Sequence, residues 1–238
     1  MKKQILTVLA ALMLTSTAYA GSIGLGVQMS IASIDASGSE TEVGTGTKTL
    51  SDSETTKGSA SHDGAIIGAI YAEYNSDFLE KGDGNSLTIG ASLVPMGADV
   101  SENDKSRTDS STGADVTTES DTGVRKANAE LKDLRVYYLE IPVSGGFYLR
   151  GGMAQVDVDS TESFTGTQGT TPSNYGNKTV DGHNYGIGYK GMTSGGLHYK
   201  ISYQELDFND FSLRSTSGNI VSADIDTQEI VASVGFRF

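Results

Sequence analysis

The chain has 238 residues, a formal net charge of −13, no cysteine and no tryptophan. Without cysteine it can form no disulfide framework, no thiolate zinc site and no thiol nucleophile. An acidic balance of this size also argues against nucleic acid as a partner, because the phosphate backbone is itself anionic.

The first twenty residues have the pattern of a targeting signal. A basic start precedes a short apolar run at 5–14, and Ala18-Tyr19-Ala20 fits a small-residue cleavage site. The apolar run is too short for a transmembrane helix, which needs about 20 residues. We therefore predict a signal peptide over residues 1–20 and a single exported domain over residues 21–238.

Eight later segments alternate between apolar residues and polar or small ones, as a β-strand does when its two faces meet different surroundings. The predicted strands cover residues 22–34, 64–74, 85–95, 131–143, 146–158, 182–190, 196–208 and 226–238. The alternation is clearest in Ile230-Val-Ala-Ser-Val-Gly-Phe-Arg-Phe238. It is less regular in the second strand and in the first half of the fourth, where a β-bulge is one explanation.

The connections between these strands alternate in length. Four are long, at 35–63, 96–130, 159–181 and 209–225, and three are short, at 75–84, 144–145 and 191–195. Outer-membrane barrels have long extracellular loops and short periplasmic turns. The predicted fold class is therefore all-β: a transmembrane, up-and-down antiparallel β-barrel of eight strands. We expect it in the cell outer membrane, with both termini in the periplasm.

The inward positions of these strands carry charges of both signs. Eight strands enclose an interior just wide enough for side chains to fill, and unpaired buried charge is costly. We therefore expect the charges to pair across the lumen. The predicted lumen charge network is Glu140, Arg150, Lys200, Glu229 and Arg237. Glu73 and Arg237 stand near strand ends and are expected to face water at the rims.

Aromatic residues beside the short turns are expected to line the periplasmic membrane interface. This predicted girdle is Tyr74, Tyr137, Phe147, Tyr189 and Tyr199, with Phe236 and Phe238 at the end of the last strand. Because the chain has no tryptophan, tyrosine and phenylalanine supply these rings alone.

The chain resembles the small eight-stranded outer-membrane β-barrels of Gram-negative bacteria, the OmpA-like, OmpX-like and opacity-type barrels of the porin family. The resemblance rests on the alternating segments, on Val234-Gly-Phe-Arg-Phe238 and on the hairpin Tyr137-Tyr-Leu-Glu-Ile-Pro-Val-Ser-Gly-Gly-Phe-Tyr-Leu-Arg-Gly-Gly152. It spans residues 21–238 and implies a fold far more than an activity. It also implies that the barrel assembly machinery is a partner, with Phe236 and Phe238 as the recognised signal.

Three functions are open for such a barrel. We expect a structural or surface-interaction (adhesion-type) role, without catalytic residues, metal or cofactor. Its partners would be outer-membrane lipid, lipopolysaccharide and an unknown extracellular ligand at the acidic loops. One alternative is a narrow porin, if the lumen charges leave a path for ions or small solutes. The other is a lipid-modifying enzyme that uses His62 or His183, which fall at predicted extracellular rims.

The G-x-G-x-x-G match at residues 186–191 does not indicate a dinucleotide-binding site. A dinucleotide site needs a helix after these glycines, whereas a predicted strand follows. The glycines are better explained as small inward residues and a tight turn.

Overall fold

The computed structural model describes residues 21–42, 54–76, 79, 85–100, 105–109, 122–167, 175–215 and 219–238. The predicted signal peptide, residues 1–20, lies outside the described residues. Among those described, no helix is long and apolar enough to cross a membrane.

The described strands all join one antiparallel sheet. They are β1 (Gly21–Glu42), β2 (Glu54–Ser76), β3 (Leu87–Leu93), β4 (Ala98–Asp99), β5 (Lys105–Asp109), β6 (Thr122–Ser144), β7 (Phe147–Thr167), β8 (Asn177–Met192), β9 (Leu197–Phe208), β10 (Phe211–Arg214) and β11 (Ile220–Arg237). Neighbours follow the order β1-β2-β3-β6-β7-β8-β9-β11, and β11 pairs again with β1. The prediction of an eight-stranded antiparallel barrel is thereby confirmed. The short strands β4 and β5 pair with β6 beyond β3, and β10 pairs with β11 beyond β9.

The first and last strands close the barrel. They pair from Gly24 opposite Arg237 to Thr41 opposite Ile220. Beyond that ladder, Ile23 N donates to Phe238 O at 3.1 Å and Phe238 N donates to Ile23 O at 2.8 Å. Closure pairs the backbone groups of both edge strands, which lipid requires because it offers no hydrogen-bond partner.

A band of exposed apolar side chains surrounds the barrel. It includes Val27, Met29, Ile31, Ile66, Ile70, Ile89, Leu139, Ile141, Leu149, Met153, Ile187, Ile201, Ile230 and Val234. Ile66 is 73% exposed and Ile230 is 59% exposed. So much exposed apolar surface on a closed barrel faces hydrocarbon rather than water. The chain is therefore a transmembrane barrel of the outer-membrane type, as the alternation predicts.

The two ends of the barrel differ. We call the end with the turns at 145–146 and 193–196 the turn end, and the opposite end the loop end. At the loop end the strands run further than the sequence predicts, because β1 and β2 pair as far as Glu42 and Glu54. β6 and β7 likewise pair as far as Thr122 and Thr167. Much of the predicted long loops is thus strand that projects beyond the apolar band.

Two β-bulges lie where the alternation is less regular. The register of β6 against β7 shifts between Lys132 and Arg135, and Asp133 has a φ of 50°. The register of β1 against β2 shifts after Ala32, beside Gly64, which has a φ of 77°. An extra residue in one strand breaks the period of two, which explains the unclear face assignment in the first half of the fourth predicted strand.

Candidate functional site

The interior of the barrel is divided into two layers. The layer toward the turn end, here the charged layer, contains Glu73, Glu140, Arg150, Lys190, Lys200, Gln204 and Glu229, all buried. The layer toward the loop end, here the apolar layer, contains Ala32, Ile34, Val136, Ala154, Val156, Val158, Val180, Leu206, Phe208 and Ile225. The side chains of both layers are buried in the interior of the barrel.

Glu140 is the centre of the charged layer. Its Oε1 accepts from Arg150 Nη2 at 2.6 Å and from Lys200 Nζ at 3.2 Å. Its Oε2 accepts from Lys190 Nζ at 3.2 Å. Three cations surround this one carboxylate, so a second acid is needed nearby, and Glu73 supplies it through a salt bridge to Lys200.

Glu73 does not face water at a rim, contrary to the expectation from sequence. It is 2% exposed and accepts a hydrogen bond from Tyr138 Oη at 2.7 Å. The reason is that β2 continues past it toward the turn end, where Asn75 is also buried. Glu73 therefore belongs inside the charged layer.

Glu229 is joined to this centre through an amide. Arg150 Nη1 donates to Gln204 Oε1 at 2.7 Å, and Gln204 Nε2 donates to Glu229 Oε2 at 2.9 Å. The three side chains lie on β7, β9 and β11. Gly186 of β8 lies between Arg150 and Gln204 in the ladders, and Gln204 is directly opposite Glu229. Glu229 is thus part of the buried polar system without a direct ion pair to Arg150.

The fifth residue of the predicted network, Arg237, lies apart from it. Its guanidinium is partly buried at the turn end, where it donates to Ser22 Oγ and, at 3.3 Å, to Ser86 Oγ.

Sequence reasoning missed Lys190, although the alternation of Tyr185, Ile187 and Tyr189 on the outside assigns Lys190 to the inside.

Tyrosine rings pack between the charges. The Tyr138 ring centroid lies 4.0 Å from Arg150 Cζ, and the Tyr71 centroid lies 4.9 Å from Lys200 Nζ. A cation over an aromatic face is attracted by the ring quadrupole. Inward glycine makes room for these rings: a Cβ on Gly188 would overlap the Tyr148 ring.

The apolar layer is absent from the sequence-based expectation of a polar lumen. Its signal in the sequence is an exchange of residue types between the two faces of a strand, which β7 illustrates. In β7, Met153 points outward within the band, whereas beyond it Val156 and Val158 point inward and Gln155 and Asp157 point outward. This exchange marks the level at which the surroundings of the outer wall change from lipid to water.

Acidic residues cover the outer wall beyond the band at the loop end. Asp35, Asp226 and Asp207 stand opposite one another on β1, β11 and β9. Partial burial and the neighbouring carboxylates, Asp224 first among them, raise the pKa of Asp226. A shallow groove here is lined by Asp35, Ala36, Ser37, Ser59, Ala60, Ser61, Asp224 and Asp226. In the described part of the chain, no group of His, Asp and Glu has the arrangement of a metal site.

Four of the five predicted girdle residues lie at the turn end: Tyr74, Phe147, Tyr189 and Tyr199. The rings of Phe147 and Tyr189 meet edge to face at 5.4 Å. Phe236 and Phe238 are exposed on the outer wall at the same end.

Tyr137 lies at the other edge of the band, which corrects its predicted place. It pairs with Met153, and the next outward pair beyond it is Arg135 with Gln155. Tyr137 is eight positions from the β6–β7 turn at Gly145, too far to reach the turn end. The β6–β7 hairpin has aromatic residues at both edges of the band. A position close in sequence to a short turn therefore does not show at which edge a ring lies.

The two candidate catalytic histidines occupy different surroundings. His62 Nδ1 lies 2.9 Å from the carbonyl oxygen of Asp99. His183 is exposed on the outer wall, opposite Met153 and Asp207 in the ladders. Neither contact is the hydrogen bond from a serine hydroxyl that a nucleophile–base pair requires.

No family model and no curated protein matches the chain. Among solved structures it is similar to Ail, the attachment invasion locus protein of Yersinia pestis, with 11% identity and a TM-score of 0.35 over 89% of this chain and 99% of that one. It is also similar to OprG from Pseudomonas aeruginosa, with 15% identity and a TM-score of 0.41 over 92% of this chain and 97% of that one. A third similar structure is the outer membrane protease OmpT from Escherichia coli, with 8% identity and a TM-score of 0.45 over 91% of this chain and 97% of that one. Similarity at this level carries no argument about activity.

Proposed function

We propose that this chain is a non-conducting outer-membrane β-barrel with a structural and surface-interaction (adhesion-type) role. The filled lumen carries the proposal. Glu140 is 0% exposed in the charged layer, and Val156 and Phe208 are 1% and 2% exposed in the apolar layer. The two layers lie in series along the barrel axis.

Both layers oppose permeation, for different reasons. An ion would have to break the salt bridges around Glu140. That step is costly, because a buried charge that loses its partner has no water to solvate it. The ion would then have to cross the apolar layer, where hydration is lost without replacement. A narrow porin would require both layers to open together.

The loop-end surface is the proposed place of interaction. It projects beyond the band on paired strands, and Asp35, Asp207 and Asp226 give its β9–β11–β1 side a negative field. A basic partner is therefore favoured there, through steering that weakens with salt. We place this end outside the cell and the turn end in the periplasm, with lipid and lipopolysaccharide around the band.

Assembly would use the opposite end. Phe236 and Phe238 are 55% and 78% exposed on the outer wall, while the Phe238 backbone bonds to Ile23 and closes the barrel. Exposed rings beside the closing seam support recognition by the barrel assembly machinery, as the family resemblance implies.

Binding of proteoliposomes to a polycation tests the interaction role. Refolded protein in phosphatidylcholine vesicles should bind immobilised polylysine at low salt and ignore heparin. The variant Asp35→Asn/Asp226→Asn should bind several-fold less. The matched control, Asp157→Asn/Asp159→Asn, removes acids already paired with Arg135 and Lys132. An equal loss of polylysine binding in both variants would show that binding depends only on net charge. That result would contradict a specific site on the β9–β11–β1 side.

A further inference from the structure

The barrel wall is incomplete between β2 and β3. β3 has only 7 residues, and its ladder with β2 ends at Ile70 opposite Leu93. Further toward the loop end, the β2 residues from Ala65 to Ala69 pair with β1 on one side. On the other side they pair with no residue that the structure describes.

The next contact across this interruption comes from a side chain. His62 Nδ1 of β2 lies 2.9 Å from the carbonyl oxygen of Asp99 in β4. We call the interval between Ile70–Leu93 and His62–Asp99 the wall gap. Its width is limited, because a single histidine side chain bridges its loop-end boundary.

Pro95 lies where the ladder between β2 and β3 stops. Val94 N donates to Leu134 O of β6 at 2.8 Å. Successive residues of a strand direct their backbone groups to opposite sides, so residue 95 would donate to β2. Proline has no N–H to donate. The chain beyond it stays with β6, where Ala98 pairs with Leu131.

The wall gap lies within the lipid-facing band. On the outer face, Ile66 and Ile70 of β2 are 73% and 53% exposed, and Met96 across the gap is 67% exposed. Ile66 pairs with Ile31 of β1, which is itself 60% exposed. The surface beside the gap is therefore continuous with the surface that lipid already covers.

The residues that flank the gap on the inner face of the wall are small and apolar. Ala65, Ala69 and Val94 are buried at the edges of the gap, and Ile67 packs against the apolar layer. A Cβ on Gly68 would meet no atom within 4 Å, so the outer side is open there. Unpaired backbone groups of β2 are costly in lipid, which favours an occupant with polar atoms beside an apolar chain.

We propose that the wall gap binds one acyl chain of a lipid from the surrounding membrane. The hydrocarbon lies between Ile66 and Met96, and the carbonyl or hydroxyl oxygens near the lipid headgroup accept from the β2 backbone. The surface on both sides of the gap belongs to the lipid-facing band, so lipid is the neighbour that it already has. This site goes beyond the proposed function and depends only on the geometry of the wall.

A single tryptophan tests the site, since the chain contains none. Met96→Trp places the fluorophore at the wall gap. Ile187→Trp is the matched control, because residue 187 is 52% exposed in the band and paired on both sides, with Leu149 and Tyr203. Each variant is refolded in detergent micelles, checked by its heat-dependent gel shift, and titrated with phosphatidylcholine that carries brominated acyl chains.

We expect the quenching of Met96→Trp emission to saturate near one lipid per barrel. The quenching of Ile187→Trp emission should instead increase in proportion to total lipid. Adding Pro95→Val restores the missing N–H, so the saturable quenching at residue 96 should be lost while the Ile187→Trp response stays unchanged. Equal quenching of both probes at every lipid ratio would overturn the proposal. So would an unaltered response after Pro95→Val. Efficient disulfide dimers of Gly68→Cys in vesicles would assign the gap to a second copy instead.

Discussion

Arg150 Nη2 donates to Glu140 Oε1 at 2.6 Å, and the two side chains are 3% and 0% exposed. They stand opposite each other on β7 and β6. The same carboxylate accepts from Lys190 and Lys200. Removing one member of a buried ion pair costs about 3–5 kcal/mol, because the remaining charge is left without compensation.

The variant Glu140→Gln keeps the shape of the side chain and removes its charge. Of the three cations only Lys200 then keeps a direct ion pair, the one with Glu73, so the free energy of unfolding should fall by about 3–5 kcal/mol. Urea unfolding in micelles, followed by circular dichroism, measures this loss. The control Asp210→Asn, at an exposed position, should change stability by no more than about 0.5 kcal/mol. Equal stability of the two variants would contradict a charged layer centred on Glu140.

Two glycines test which face of the wall is full. A Cβ on Gly188 would overlap the Tyr148 ring and come 2.8 Å from the carbonyl oxygen of Ile201, whereas one on Gly151 would meet no atom within 4 Å. We expect Gly188→Val to destabilise the barrel by about 1–3 kcal/mol through overpacking. Gly151→Val should be neutral or stabilising, because its side chain enters lipid. The same urea titration decides, and a tolerated Gly188→Val would show that the lumen has spare room.

The acidic outer wall makes stability depend on pH. Partial burial and the carboxylates of Asp224, Asp207 and Asp35 raise the pKa of Asp226 above its ordinary value of 3.8. The folded protein thus holds this proton more tightly than the unfolded chain does, and the ionised carboxylate destabilises the fold above the folded-state pKa. The penalty disappears as the pH falls through that pKa toward 3.8.

Asp226→Asn should therefore raise the unfolding midpoint at neutral pH. Its advantage over the native protein should shrink as the pH falls through the folded-state pKa and vanish below the ordinary value. Asp226→Glu keeps the charge and should follow the native protein at every pH. Added salt should reduce the difference at neutral pH, since exposed charges are screened. A constant difference across the whole pH range would contradict the electrostatic origin.

The strand alternation predicts the barrel and its outward faces well, because lipid outside and polar groups inside impose opposite requirements on successive residues. It also assigns Glu140, Arg150 and Lys200 to the inside. It fails where the surroundings change. Beyond the band water covers the outer wall, so Val156 and Val158 point inward in place of polar residues, and the projecting strands have the composition of loops. The wall gap could not be predicted from the alternation, because it concerns backbone pairing rather than side-chain polarity. Pro95 is visible in the sequence, but its importance appears only when the pairing of β2 is known.

Single-channel conductance of the refolded protein tests the central claim most directly. The protein should be inserted into planar lipid bilayers after a heat-dependent gel shift confirms folding, with a known porin as the control for insertion. The filled charged and apolar layers predict a silent membrane. Steady, reproducible steps whose ion selectivity changes in Lys200→Gln would contradict the filled lumen and make the charged layer the lining of a pore.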